Sequence, residues 1–524
     1  ARMKHGVGAV FEVPLVDAGL SGFSTHFVLD RTYTLRSKPN PSQTLFPDFQ
    51  PLVYNSNDSK TLQNEKHERA MAATMPPPFS GFFPCADNRK IVIFCMDLYA
   101  QLEILLRKLG IYEQLQQEGL LNEGPLKFGL SNNISNFGEL GSEHKQKLTE
   151  TMSQIFSTQP AAHWEQLLPG VSIVRTREEW LAEKTMLKSG VNTTMDNGKS
   201  VLTVPGRIAD VASPDNSLMD IHPKEFEWVE ITEAMDLFTA NNKIAKLATS
   251  AIDANTIVPL KKGELLKGLK VLDLANVIAG PTSSYTLAQY GAEVIKADPP
   301  GPGHHFPLLM KMMLELTQGK RSILTDVKKA PGREILHKLV SWADVVVHNV
   351  LDDTATNLGI RHEQLQKINP DVISCQLSAF GGTYRSGWDM RIANDVVAQV
   401  PTGVSAHFGT LDNPQIHGQI SCADTLGGLG MAFSALLGLY QKNLTGYAGE
   451  CRTSLVRMIN YTQLPNMTAK NGRCDMRDPG GQFAVGENSH QRLYQCQDDW
   501  IYVGASLEQT DLLIECVTNQ SVAD

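Results

Sequence analysis

Asp424 is the acidic residue whose setting most resembles a site of chemistry. It stands near the start of 421-SCADTLGGLGMAFSALLGLYQKNLTG-446, where the residues that follow are small or apolar and spaced as a helix. A carboxylate there can cap the helix by accepting backbone N–H groups that lack partners in the first turn. A carboxylate can also act as a nucleophile in covalent catalysis, and the two roles are compatible. Asp424 is the residue we expect to be catalytic. Cys422, two positions upstream, has no histidine at a telling spacing and reads as a buried structural thiol. His304 and His305 sit in a Gly/Pro loop without nearby Cys or carboxylate ligands, so they read as surface groups and no metal is expected.

Holding such a residue requires a framework, and from residue 268 the chain supplies one. Apolar strands alternate with amphipathic helices: 270-KVLDLA-275, helix 283-SSYTLAQYG-291, 292-AEVIKAD-298, helix 332-GREILHKLVSWA-343, 344-DVVVHNV-350, helix 362-HEQLQKIN-369 and 371-DVISCQLSAF-380. Near-continuous apolar strands separated by helices predict a parallel sheet covered on both faces, a doubly wound α/β domain. Ligands of such sheets bind in loops beyond the carboxyl ends of the strands. Here those loops are 276–281, 299–306, 351–359 and 380–389. None carries a GxGxxG or Walker A pattern, so nicotinamide, flavin and ATP chemistry have no positive support.

A chain of 524 residues exceeds one typical core, and two or more domains are expected. The formal charge of −9 and pI near 5.9 leave no basic footprint for nucleic acid. No apolar run is expected to reach the roughly 18 residues that span a bilayer, and residues 1–6 lack a signal-peptide apolar region. The eight cysteines show no CxxC spacing and read as reduced thiols, which places the expected location in the cytoplasm or another reducing compartment.

The chain also echoes itself. His5–Leu15 aligns without a gap on Thr445–Leu455, and 83-FPCADNRKIVIF-94 resembles 494-YQCQDDWIYV-503; in each of the latter a Cys-x-Asp turn precedes an apolar strand and a helical segment follows. Two echoes in the same order predict a duplicated unit. Earlier, 97–110 has helical spacing with a glycine stop, and 161–184 reads as helix, Pro-Gly turn, short strand and acidic helix start. Three regions are expected: 1–232 as the later half of a first unit, 233–265 as a linker, and 266–524 as a second unit whose sheet domain runs to about 455. The chain is expected to be a fragment of a longer tandem protein.

The order of motifs resembles the class III CoA-transferases, the CaiB/BaiF family that includes formyl-CoA transferase, carnitine-CoA transferase and α-methylacyl-CoA racemase. The matching stretches are 268-GLKVLDLANVIAGP-281, 291-GAEVIKADPPGPG-303, 319-GKRSILTDVK-328, 343-ADVVVHN-349, 369-NPDVISCQLSAFG-381 and 422-CADTLGGLGMAFSALLGLYQKNLTG-446. The resemblance implies a Rossmann-like doubly wound domain plus a smaller α+β domain, in an interlocked fold here in tandem. It also implies an intramolecular pseudo-dimer or a homodimer.

By that resemblance Asp424 is the family's nucleophile toward an acyl-CoA thioester, and CoA is passed to a small carboxylic acid through an aspartyl anhydride and thioester. CoA enters as substrate, with no permanent cofactor. The loop Asn276, Val277, Ile278 and Ala279 matches the segment lying along CoA. Lys296, Lys320, Arg321 and Lys328 are the expected phosphate partners, Lys328 on a family CoA position. Gly427–Gly428 and Gly480–Gly481 are the expected oxyanion donors. The chain departs from the pattern where arginines commonly stand, at Pro299 and Asn357, and Asn394 occupies a substrate-site position where the racemases carry their histidine base. That last change counts against racemisation. Three alternatives to simple transfer stand: an α-methylacyl-CoA racemase-like enzyme, a tandem dimethylsulfoniopropionate lyase of the CoA-transferase type, and a catalytically impaired CoA-thioester binding protein.

Overall fold

The structure is a computed structural model, and it describes residues 79–95, 99–118, 142–196, 198, 200–212, 264–300, 315–416, 422–464, 467–474, 486–497 and 499–518. The 1–78 half of the first echo, residues 233–263 of the expected linker, His304, His305, Gly480 and Gly481 lie outside the described residues.

Seven strands form the main sheet, in the order Asp210–Val211, Glu450–Ser454, Ile373–Ser378, Val345–His348, Lys270–Asp273, Glu293–Asp298, Lys320–Leu324. Every neighbouring pair is parallel except the first. Val271, Leu272, Val345, Val346, Val347 and Ile373 are wholly buried, which is why their strands read as continuous apolar runs. Leu272 and Val346 face Leu336, Val340, Ala355 and Leu365 on one side. The other side is covered by helices Ala279–Gln289 and Cys422–Thr445. This is the doubly wound α/β architecture that the sequence predicts.

Glycine decides how closely the long helix can lie. A Cβ at Gly428 would stand 2.5 Å from the carbonyl oxygen of Ala279, and one at Gly438 would stand 2.6 Å from Cys451 Sγ. Both contacts fall well inside van der Waals distance, so the helix rests directly on its neighbour and on the sheet only because those side chains are missing. This helix corrects one expectation: its 24 residues are long and apolar enough to cross a membrane. Small residues, no single long apolar side-chain run, make up that hydropathy, and its Ala423, Met431, Ala432 and Ala435 are packed in the core.

The earlier half builds a three-stranded antiparallel sheet from Ser80–Pro84, Lys90–Phe94 and Val171–Ile173. Its buried face, with Phe79, Ile91 and Ile93, packs against Leu105, Met152, Phe156 and Trp164 from the surrounding helices. The 161–184 stretch folds as read: helix Ala161–Leu167, strand Val171–Ile173, and helix Arg177–Leu181 behind a Thr176/Glu179 capping box. The later echo repeats the hairpin, Gln491–Gln495 with Trp500–Gly504 followed by helix Thr510–Thr518.

The two halves are built into each other. Strand Asp210–Val211 completes the main sheet, held by Arg457 Nη1, 2.6 Å from Asp210 Oδ2. Trp180 Nε1 donates to Asn460 Oδ1 at 2.8 Å, and Val201–Pro205 pairs with Ala469–Lys470.

Candidate active site

Strand Ile373–Ser378 leaves the sheet and passes through a loop to the short helix Asp395–Gln399, which abuts the start of helix Cys422–Thr445. The Asp395 carboxylate caps that start. Its Oδ2 accepts the Asp424 backbone N–H at 2.9 Å, and the Ala423 N–H also bonds to the carboxylate. Its Oδ1 accepts Gln399 Nε2 at 2.5 Å, one helical turn away on the same face. Asp424 is therefore not the cap that its position predicts. Its backbone is capped by another carboxylate, and among the described residues its own carboxylate accepts no hydrogen bond.

The electrostatics of this pair are unusual for aspartates. Burial pushes Asp395 up to about 6 in spite of its three hydrogen-bond donors. Burial raises Asp424 well above the usual carboxylate range, and the neighbouring Asp395 charge raises it further. No cation is among the causes for either group. Asp424 is half-buried among the described residues. Cys422, half-buried rather than fully buried as expected, is pushed up to about 12 by burial and by both aspartates, which disfavours its thiolate.

The stretch of chain that carries this pair of carboxylates matches known proteins in sequence. The model for CoA-transferase family III fits residues 266–523. That region belongs to CoA-transferase family III. The whole chain is similar to the CoA-transferase/lyase DddD of Marinomonas sp. (strain MWYL1), 27% identical over 512 residues that make up 96% of this chain and 59% of that protein. The formyl-CoA:oxalate CoA-transferase of Rhodopseudomonas palustris (strain BisA53) is 33% identical over 190 residues, 34% of this chain and 44% of that protein. The chain thus spans about half the length of these relatives. Among solved structures, a CAIB/BAIF family protein from Brucella suis superposes with a TM-score of 0.38 at 23% identity, covering 48% of this chain and 69% of that one.

Within the family III region the loop 276–279 leads into helix Ala279–Gln289, which packs on helix Cys422–Thr445 at Gly428. Asn276 and Asn349 clasp each other: the Asn276 N–H donates to Asn349 Oδ1 and Asn349 Nδ2 donates to the Asn276 carbonyl, both at 2.8 Å. Val277 has φ +66°, a left-handed conformation that a β-branched residue takes only under strain. Ile278 offers no side-chain cap to helix Ala279–Gln289. A strained backbone at a helix start without a side-chain cap suits an anionic or carbonyl ligand. Gly428, which presses on Ala279, stands about one helical turn, ~6 Å along the axis, beyond Asp424.

Other expected site residues are placed differently. Gly427 and Gly428 lie inside the helix, where backbone N–H groups are taken by carbonyls four residues earlier, so they are not oxyanion donors. They serve close packing, Gly427 against Leu455 and Gly428 against Thr282. Lys320 is buried, its Nζ donating to Asp273 Oδ2, Pro281 O and Ser284 Oγ, which uses all three donors and leaves none for phosphate. Lys296 is likewise buried against Asp298 and the Ala275 carbonyl. Arg321 is exposed on the edge strand and paired with Glu293. Lys328 is exposed just past the carboxyl end of that strand, the best placed of the four for an anion. Asn394 uses its side chain within the protein, accepting the Val397 N–H at 3.3 Å and donating to the Phe94 carbonyl at 2.8 Å. The residue that sequence reading passed over is Asp395. Its signal was the Gln399 four residues later, which places an amide donor on the carboxylate's own helix face.

Proposed function

We propose that this chain carries out acyl-CoA:carboxylate CoA transfer with Asp424 as nucleophile. The observation that supports it most is the Asp395–Asp424 pair, two carboxylates brought together with no compensating cation among the described residues. The Asp424 oxygen attacks the thioester carbonyl, the C–S bond breaks, and CoA leaves as thiolate. The thiolate then attacks the aspartyl carbonyl of the anhydride, releasing the donor's carboxylate and leaving an aspartyl thioester. An acceptor carboxylate and the returning thiolate reverse the two steps, and Asp424 is regenerated. No proton is consumed. Acylation removes a negative charge beside Asp395, so the repulsion that raises Asp424 also favours its conversion to a neutral acyl form. The strained 276–279 loop offers N–H groups near the reacting carbonyl.

This requires a transfer assay: an acyl-CoA with isotopically labelled carboxylic acids, followed by mass analysis of the CoA esters. Label entering the thioester pool is expected, and its absence with every donor tested defeats the reading. A second reading, transfer coupled to elimination, is favoured by the collinear match to a protein named CoA-transferase/lyase over 96% of this chain. Release of a β-substituent from the acyl group during the same assay distinguishes it. Racemisation is disfavoured, because the Asn394 amide cannot exchange an α proton and both its polar atoms are engaged. In this reading the two halves of the chain supply the paired units within one molecule; the pairing of Asp210–Val211 with Glu450–Ser454 is compatible with it.

A further inference from the structure

Asn394 joins three parts of the molecule. Its Oδ1 caps helix Asp395–Gln399 by accepting the Val397 N–H at 3.3 Å, while its Nδ2 donates to the carbonyl of Phe94, at the end of the early hairpin, at 2.8 Å. The next residue, Asp395, holds the N–H groups of Ala423 and Asp424. The amide is planar and both ends are used, so rotating it forfeits both bonds. Apolar contacts reinforce the junction: Val92 and Val174 from the early half pack with Val396 and Val400. Arg391, just upstream, lies 4.2 Å over the Trp388 ring and donates to the Val171 carbonyl.

We infer that Asn394 is a positioning residue for Asp424, acting through Asp395, and that the early hairpin is the anchor from which it positions. This rests on the transferase reading for its catalytic meaning, but the positioning is a property of the fold. With the amide removed, the short helix keeps its apolar contacts and loses the two directional bonds that set its start. Asp395 then no longer holds the first turn of helix Cys422–Thr445 in one place.

The test is amide hydrogen exchange on the full chain for wild type, Asn394→Ala and Asn394→Ser, with thermal melting and steady-state transfer alongside. Serine keeps a cap acceptor but cannot reach the Phe94 carbonyl. The expected result in both variants is at least tenfold faster exchange at the Ala423 and Asp424 amides, while amides 431–438 in the same helix keep their protection. In transfer assays kcat falls at least tenfold with KM for acyl-CoA within twofold. Unchanged protection at 423 and 424 in a folded variant overturns the inference, as does a loss spread evenly along the helix. If Asn394→Ala does not fold, Asn394→Ser carries the same test. Absence of turnover in wild type would count against the transferase reading alone, since the exchange result stands without it.

Discussion

Asp273 and the Asp395–Asp424 pair are buried carboxylates in one domain, and their surroundings drive them in opposite directions. Asp273, wholly buried, receives Lys320 Nζ at 2.9 Å, Ser284 Oγ at 2.7 Å and the Ala275 N–H at 2.9 Å. Burial alone would raise it, but Lys320 and Lys296 hold it below the usual carboxylate range. Its charge is neutralised and its lone pairs are occupied, leaving nothing with which to react. At the other site burial acts in the same sense, yet the neighbouring Asp395 charge has the same sign, and among the described residues the Asp424 carboxylate accepts no hydrogen bond. Burial is common to both; the sign of the neighbouring charge separates the structural carboxylate from the one we propose as nucleophile.

The sharpest way to break the comparison is to neutralise each carboxylate in turn. Asp424→Asn is expected to lower transfer by about 10³-fold or more with no loss in melting temperature, since it removes a repulsion; steady-state transfer and a thermal melt check this. Asp273→Ala is expected to do the reverse, leaving Lys320 buried without its partner at a cost of about 3–5 kcal/mol, read as a lowered urea midpoint.

The pH dependence sharpens the contrast. Asp424 must be ionised to attack, so the acid limb of kcat/KM is expected above the ordinary aspartate range. Asp395→Asn removes the like charge and shifts that limb to lower pH, read from the kcat/KM profiles of the two proteins. Stability follows the same sign. Because the folded value of Asp395 is raised from 3.8 to about 6, its contribution is fully present below 3.8 and is lost as pH rises through 6. Asp273, held low, contributes above its unfolded value and loses that contribution as pH falls. Urea unfolding of the two single variants across pH 3 to 7 separates these trends. Smaller still is the effect of Gly428→Ala, whose methyl would meet the Ala279 carbonyl. A cost of about 1–3 kcal/mol is expected, with weakened CoA-ester binding, measured by denaturation and by KM.

Much of this was legible in the sequence because it follows from periodicity. The apolar runs at 270, 294, 345 and 373 became the parallel strands, and the small-residue run after Asp424 became the long helix. The family motifs placed Asp424 at its start. Other features were hidden for physical reasons. A lysine at a strand end has the same sequence appearance whether it reaches solvent or folds back, and only the Asp273 and Ser284 partners reveal that Lys320 folds back. Gly427 and Gly428 resemble a loop motif in sequence, yet the helix had already started at Cys422. Asp395 and Asn394 act through contacts with residues distant in sequence, Asp424 and Phe94, which no local pattern encodes. The two-residue strand Asp210–Val211 is too short to carry a period and gains its place only from Glu450–Ser454 beside it.

The central claim is that Asp424 becomes covalently acylated. The most direct measurement is intact-mass analysis of the protein after incubation with a panel of acyl-CoAs and quenching, with hydroxylamine trapping and peptide mapping, in wild type and Asp424→Asn. An acyl, CoA or hydroxamate adduct confined to the peptide that contains Asp424, and missing from the Asn variant, is the predicted result. An adduct on another residue, or turnover without any adduct at Asp424, would contradict it.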